Sequence, residues 1–220
     1  GRCDRCTGST VDGTADPEAV ARARRSLRGA VVVIEPRKQW PRGLDDRRGN
    51  VRPERRAEEG RALAFGTDPG WAEELAPRFA APDAEPDDEL LRGVAAALKA
   101  WPWGRRPTWV TWVPSRTRPR LVGGLAAQIA EIGTMELVEA VHRIRPDAPP
   151  QARMENSVTQ AANVADAFRF GRDDGEPLPL GPGLVFDDLL RSGWTMTVVA
   201  DGLRAAGSGL ILPFVLWRKP

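Results

Sequence analysis

A chain of 220 residues, 41% hydrophobic and 28% charged, can bury one large core or two modest ones, which excludes wholesale disorder. No run approaches the ~20 apolar residues of a membrane helix, the head GRCDRCTG has no apolar segment of the secretory type, and two cysteines are too few for a disulfide scaffold. The net charge of +2 conceals a basic head, 14 Arg and Lys against 10 Asp and Glu over residues 1–60, balanced by four against eight over 61–100, and the expectation is a soluble cytoplasmic protein.

Only Lys38, Lys99 and Lys219 are lysines, leaving 29 arginines. Arginine suits phosphate contact, and a GC-rich genome would produce the same bias. Residues 1–8 read as a cysteine-bearing turn. Asp16-Pro17-Glu18 then supplies an N-cap, a first-turn proline and a first-turn acid, so a helix is expected to Arg28, stopped by Gly29. The β-branched run from Ala30 to Pro36 predicts a buried strand. Arg37 to Arg56 is polar, arginine-rich and broken by Gly and Pro, as an exposed loop would be. Two short helices are expected near 54–64 and 69–79, a linker over Ala80 to Asp88, and a helix from about Asp87 to Ala100. A domain boundary falls in 81–106.

The second half alternates. Strands are expected at Thr108 to Val113, Glu136 to Ile144, Asn163 to Phe170, Leu184 to Phe186 and Leu210 to Trp217. Helices are expected at Leu121 to Ile132 and Thr195 to Ala206, and a mobile loop with a short helix over Arg145 to Gln160. This alternation implies a mainly parallel sheet with helices on its faces, with ligands at the carboxyl ends of its strands.

The segment GLVFDDLLRSGWTMT (183–197) concentrates the chemistry. An apolar strand ends in Asp187 and Asp188, and three residues later Ser192-Gly193-Trp194-Thr195 opens a helix. Helix N-termini attract phosphate through unpaired N–H groups and the positive end of the dipole. Gly193 permits close approach, Ser192 and Thr195 add hydroxyls, and the paired carboxylates suit a ribose diol or Mg²⁺. The same residues also suit an ordinary strand–turn–helix capped by Ser192.

This pattern resembles the PRPP-binding loop of type I phosphoribosyltransferases (apolar strand, Asp-Asp, three residues, Ser/Thr-Gly-x-Thr), especially the branch related to the competence protein ComF. The resemblance covers roughly residues 105–220. It implies an α/β fold of phosphoribosyltransferase type with phosphate and ribose held by Asp187, Asp188, Ser192, Gly193, Trp194 and Thr195. The loop Val113-Pro114-Ser115-Arg116 would meet pyrophosphate through Ser115 and Arg116, with Mg²⁺ arriving on PRPP or a nucleotide. The segment from Pro149-Pro150-Gln151 through Asn163 would be the family's flexible part. Trp194 is bulky where such loops usually carry a small residue, and no general base stands out.

Cys3 and Cys6 have a spacing that suits two ligands of a tetrahedral zinc, or a free dithiol. His142, the one histidine, reads as a packing residue. GRCDRCTG resembles the end of the zinc module of RecQ-family DNA helicases, with Cys3 and Cys6 as the last two of a Cys-x-x-Cys-x-x-Cys triplet. Together with Glu35-Pro36-Arg37-Lys38-Gln39-Trp40-Pro41, Glu58-Glu59-Gly60-Arg61 and the phosphoribosyltransferase-like tail, it is similar to actinobacterial RecQ-like helicases. The resemblance implies a zinc-module remnant over 1–9, a small α+β DNA-contacting region and linker over 10–100, and the phosphoribosyltransferase-like domain over 101–220. No G-x-x-x-x-G-K-[ST] is present, so a motor would lie in upstream helicase domains of the same polypeptide, acting in DNA repair and recombination at the bacterial nucleoid. Arg37, Trp40, Arg47 and Arg48 would be the DNA contacts, arginines on phosphates and Trp40 on a base, or Trp40 would fold into a small core.

Overall fold

The computed structural model describes residues 16–30, 32–44, 47–145 and 157–220. Helix α1 (Pro17–Arg28) begins where Asp16 accepts from the N–H groups of Glu18 and Ala19. Strand β1 (Val32–Ile34) leads to a helical turn at Pro53–Arg55, then β2 (Gly60–Phe65), α2 (Trp71–Ala80) and α3 (Asp88–Ala100). The second half runs β3 (Trp109–Trp112), α4 (Pro119–Gly133), β4 (Glu136–Leu137), β5 (Val141–Arg143), α5 (Ser157–Ala165) and β6 (Phe168–Phe170). It closes with β7 (Gly183–Leu190), α6 (Trp194–Ala205) and β8 (Ile211–Arg218).

Among the described residues, six strands form one sheet in the order β1-β2-β8-β7-β3-β4, parallel throughout except for β1 against β2. Strands β5 and β6 pair separately. The fold class is therefore α/β with a mainly parallel sheet. Central strands covered on both faces read as continuous apolar runs rather than alternating ones, as Gly183–Phe186 and Phe214–Trp217 do. One core joins Val185, Ile211 and Val215 to α5 and α6, and a second joins Leu184, Phe186 and Phe214 to α2, α3 and α4. No helix among the described residues is long and apolar enough to cross a membrane.

Several expectations change. The helix expected near 54–64 is a short turn followed by strand β2, because pairing with β1 and β8 outweighs the helix propensity of Arg61, Ala62, Leu63 and Ala64. Gly60 allows that pairing, since a Cβ there would lie 2.6 Å from the Pro213 carbonyl oxygen. The strand expected over Glu136 to Ile144 divides between the main sheet and the small one, and that expected over Asn163 to Phe170 is the end of α5 followed by β6. The sheet also passes through the boundary expected in 81–106: β2, from the first half, is paired in parallel with β8. The small α+β region is thus built onto the sheet of the second half.

Candidate functional site

Strand β7 does not end at the two acids. Its pairing with β8 continues through Asp187↔Val215 to Leu190↔Arg218, and the Lys219 N–H donates to the Leu190 carbonyl at 2.8 Å. The turn into α6 is therefore only Arg191, Ser192 and Gly193. Gly193 has φ +77°, in the left-handed region that favours glycine. It has no side chain to cap α6, and its carbonyl accepts from the Thr197 N–H at 3.0 Å and the Thr197 hydroxyl at 2.9 Å. A helix opened in this way presents backbone donors to an anion.

Of the expected contacts, Ser192 and Thr195 are half-buried at this turn, while Trp194 turns inward and is 2% exposed. Its ring stacks on Trp40 with centroids 6.1 Å apart, and the Arg37 guanidinium lies 4.0 Å from its centre. The Trp194 side chain thus packs in the core, which explains how a bulky residue fits into the turn, and only its backbone remains for a ligand. Its Nε1 is buried with no hydrogen-bond partner among the described residues, a cost of about 1–3 kcal/mol that the surrounding packing offsets.

The carboxylates differ. Asp187 is 6% exposed, and burial, reinforced by the neighbouring Asp188 charge, pushes its carboxyl well above the ordinary range. Asp188 is half-buried and accepts from the Ser115 hydroxyl at 2.7 Å. Ser115 in turn accepts from the Arg118 N–H at 3.0 Å, which fixes the loop after β3 against α4. The strand β3 lies beside β7, so the loop after β3 meets β7 through Ser115 and Asp188. Arg116 lies exposed on the same loop.

Arg143, unremarked in the sequence, completes the group. Its guanidinium donates twice to the Pro114 carbonyl at 3.1 Å, stacks 4.6 Å from the Phe168 ring centre, and interacts electrostatically with both aspartates. Burial, then Arg116, lowers its affinity for the proton. Nothing local marked it, because only the pairing of β5 with β6 brings it under the loop.

On the other side of the turn is a cleft of about 810 Å³, lined by Ser192 and Gly193 together with Arg37, Arg191, Arg218 and Glu58. Arg37 donates through Nε to the Ser192 carbonyl at 2.6 Å, and Arg218 donates to the Val33 carbonyl at 2.7 Å. Arg37, expected on DNA, therefore braces the turn. Trp40, expected on a base, has its ring occupied by Trp194 and by Arg47 at 5.3 Å, the packing alternative. Arg48 is exposed, and Arg47 is 3.9 Å from Asp201. On α1, Arg24 pairs with Glu73, and Arg28 with Glu74 and Glu89.

Oxygen ligands suit Mg²⁺, and Asp188 offers one oxygen beyond that held by Ser115. No group of three or more His, Cys, Asp or Glu gathers among the described residues, so the ion would have to be shared with the ligand's phosphates. Cys3 and Cys6, the expected zinc ligands, lie outside the described residues, as does the expected flexible segment up to residue 156, while its remainder to Asn163 belongs to α5. His142 Nε2 sits 2.8 Å from the Gly171 carbonyl oxygen.

No protein-family model matches the chain, and no curated protein does. Among solved structures, it is similar to adenine phosphoribosyltransferase from Leishmania tarentolae, with a TM-score of 0.44 and 13% identity, over 71% of this chain and 91% of that one. It is similar also to adenine phosphoribosyltransferase from Leishmania donovani, with a TM-score of 0.42 and 10% identity, over 71% and 83% of the two chains. Likeness of that strength assigns no activity.

Proposed function

We propose that this chain contains a phosphoribosyltransferase-like domain that binds a sugar phosphate of the PRPP type at the turn between β7 and α6. The observation that carries the reading is the Ser115–Asp188 hydrogen bond, which unites the loop after β3 with the strand leading to the uncapped helix. The sugar's phosphate would meet the backbone at Ser192 to Thr195, and Asp188 would accept from the ribose diol. Ser115, Arg116 and Arg143 would face the second phosphate group. Mg²⁺, brought by the ligand, would neutralise phosphate charge beside Asp188. Asp187 is buried and holds its proton more tightly, so the half-buried Asp188 would be the member of the pair that meets the ligand.

Transfer of the phosphoribosyl group, with release of pyrophosphate, is one finer reading. The other makes this the accessory region of a RecQ-like helicase that positions DNA for a motor upstream, with a DNA 5′-phosphate in the turn. Its motive is that Arg37, expected from the sequence as a DNA contact, is braced on the Ser192 carbonyl. One calorimetric series tests both. Mg²⁺-PRPP and an oligonucleotide with or without a 5′-phosphate are titrated into the wild type and Asp188→Asn. Saturable PRPP binding, weakened about tenfold or more (roughly 1.4 kcal/mol) in the variant, supports the sugar-phosphate site. Equal affinity for the two oligonucleotides removes the 5′-phosphate reading, and no PRPP binding up to about millimolar removes the first.

A further inference from the structure

A second pocket, of about 490 Å³, lies one helical turn further along α6. It is lined by Arg47, Arg48, Arg52 and Arg55, with Asn50 and the carboxylates of Asp166 and Asp201. Gly193 and Thr197 border the first cleft and Asp201 the second, and residues four apart share a helix face. The segment carrying the arginines is anchored. Val51 is fully buried, Leu44 is buried, and Trp40 and Val51 donate to the Gly49 and Lys38 carbonyls at 2.9 Å. The following turn is pinned to α6 by Arg204, which donates to the Glu54 carbonyl at 2.6 Å.

The arginines of this pocket differ from others in the molecule. Arg24, Arg28, Arg61 and Arg172 each hold a carboxylate within hydrogen-bond distance. The guanidinium groups of Arg48, Arg52 and Arg55 pair with no described residue, and Arg47 reaches Asp201 only at 3.9 Å. Among the described residues, four guanidinium groups against two carboxylates leave a concave surface of positive charge on a pre-arranged backbone. Such groups bind phosphate oxygens in pairs, with strong charge-assisted hydrogen bonds.

We propose that this pocket is a second anion site, separate from the turn before α6, which takes two or more closely spaced phosphate groups. They are supplied either by a free condensed phosphate or by a nucleic-acid backbone. The pocket's site does not depend on a sugar phosphate binding at the turn.

The test titrates inorganic tripolyphosphate, and separately a single-stranded oligonucleotide of about a dozen residues (longer than the ~4 nucleotides of the smallest single-strand sites), into the full chain. Three proteins are compared: the wild type, Arg52→Gln/Arg55→Gln, and the charge-matched control Arg105→Gln/Arg106→Gln, whose arginines are exposed outside the pocket. Thermal melting verifies that each is folded. At least one probe is expected to bind the wild type saturably, to weaken tenfold or more in the pocket variant, and to change less than twofold in the control. Tighter tripolyphosphate points to the free anion, and a tighter oligonucleotide, with steep salt dependence, to the backbone. Equal weakening in pocket variant and control, unchanged affinity in the pocket variant, or no binding of either probe overturns the proposal.

Discussion

Asp187 shows how strongly position decides chemistry at the scale of one residue. Adjacent carboxyls on one strand share a small volume, and the one that is buried keeps its proton more tightly. The folded state then binds a proton that the unfolded chain releases at the ordinary carboxyl value. The stabilisation from protonated Asp187 is therefore complete below that value and is lost as pH rises toward the raised folded value. Asp187→Asn removes the titration. Melting at pH 4 and pH 8 should show the wild type losing more stability with rising pH than the variant, whereas parallel losses would contradict this assignment. The acids and the Ser192-Gly193-Trp194-Thr195 turn were legible in sequence because strand, turn and helix are contiguous. The inward turn of Trp194 was not, since its partner Trp40 stands far away in the chain, and Arg143 is placed by a strand pairing that no local signal announces.

At the scale of elements, the strands β3, β7 and β8 and the helices α4 and α6 appear close to where apolar runs and stop signals put them. Strand β7 extends beyond the expected Phe186 because its partner β8 is long, and β2 was missed because Arg, Ala and Leu read locally as helix. The stretch from Arg37 to Arg56, expected as an exposed loop, opens with a brace. Arg37 holds the Ser192 carbonyl and covers the Trp194 ring. Replacing Arg37 with Ala removes a charged hydrogen bond and a cation–π contact, and should cost about 1–3 kcal/mol in denaturant unfolding. Amide exchange at Thr197, whose N–H donates to the Gly193 carbonyl, should also accelerate; protection equal to wild type would show that the turn holds itself.

At the scale of the molecule, the division expected near 81–106 follows composition, but the hydrogen bonds do not. Strand β8 is paired on both sides, with β7 from its own half and β2 from the other. A piece spanning 101–220 would expose one edge of β8 and the apolar faces that α2 and α3 cover. Such a piece should aggregate or unfold without cooperativity; a sharp, reversible melt would show that the second half is self-sufficient.

The most direct measurement is the response of the backbone amides at the start of α6. In ¹⁵N-labelled protein titrated with Mg²⁺-PRPP, the amide signals of Ser192 to Thr195 should shift saturably and together, with those of Ser115 and Asp188 following. If those signals stay fixed while amides elsewhere respond, or if none responds up to millimolar ligand, the turn does not receive a sugar phosphate.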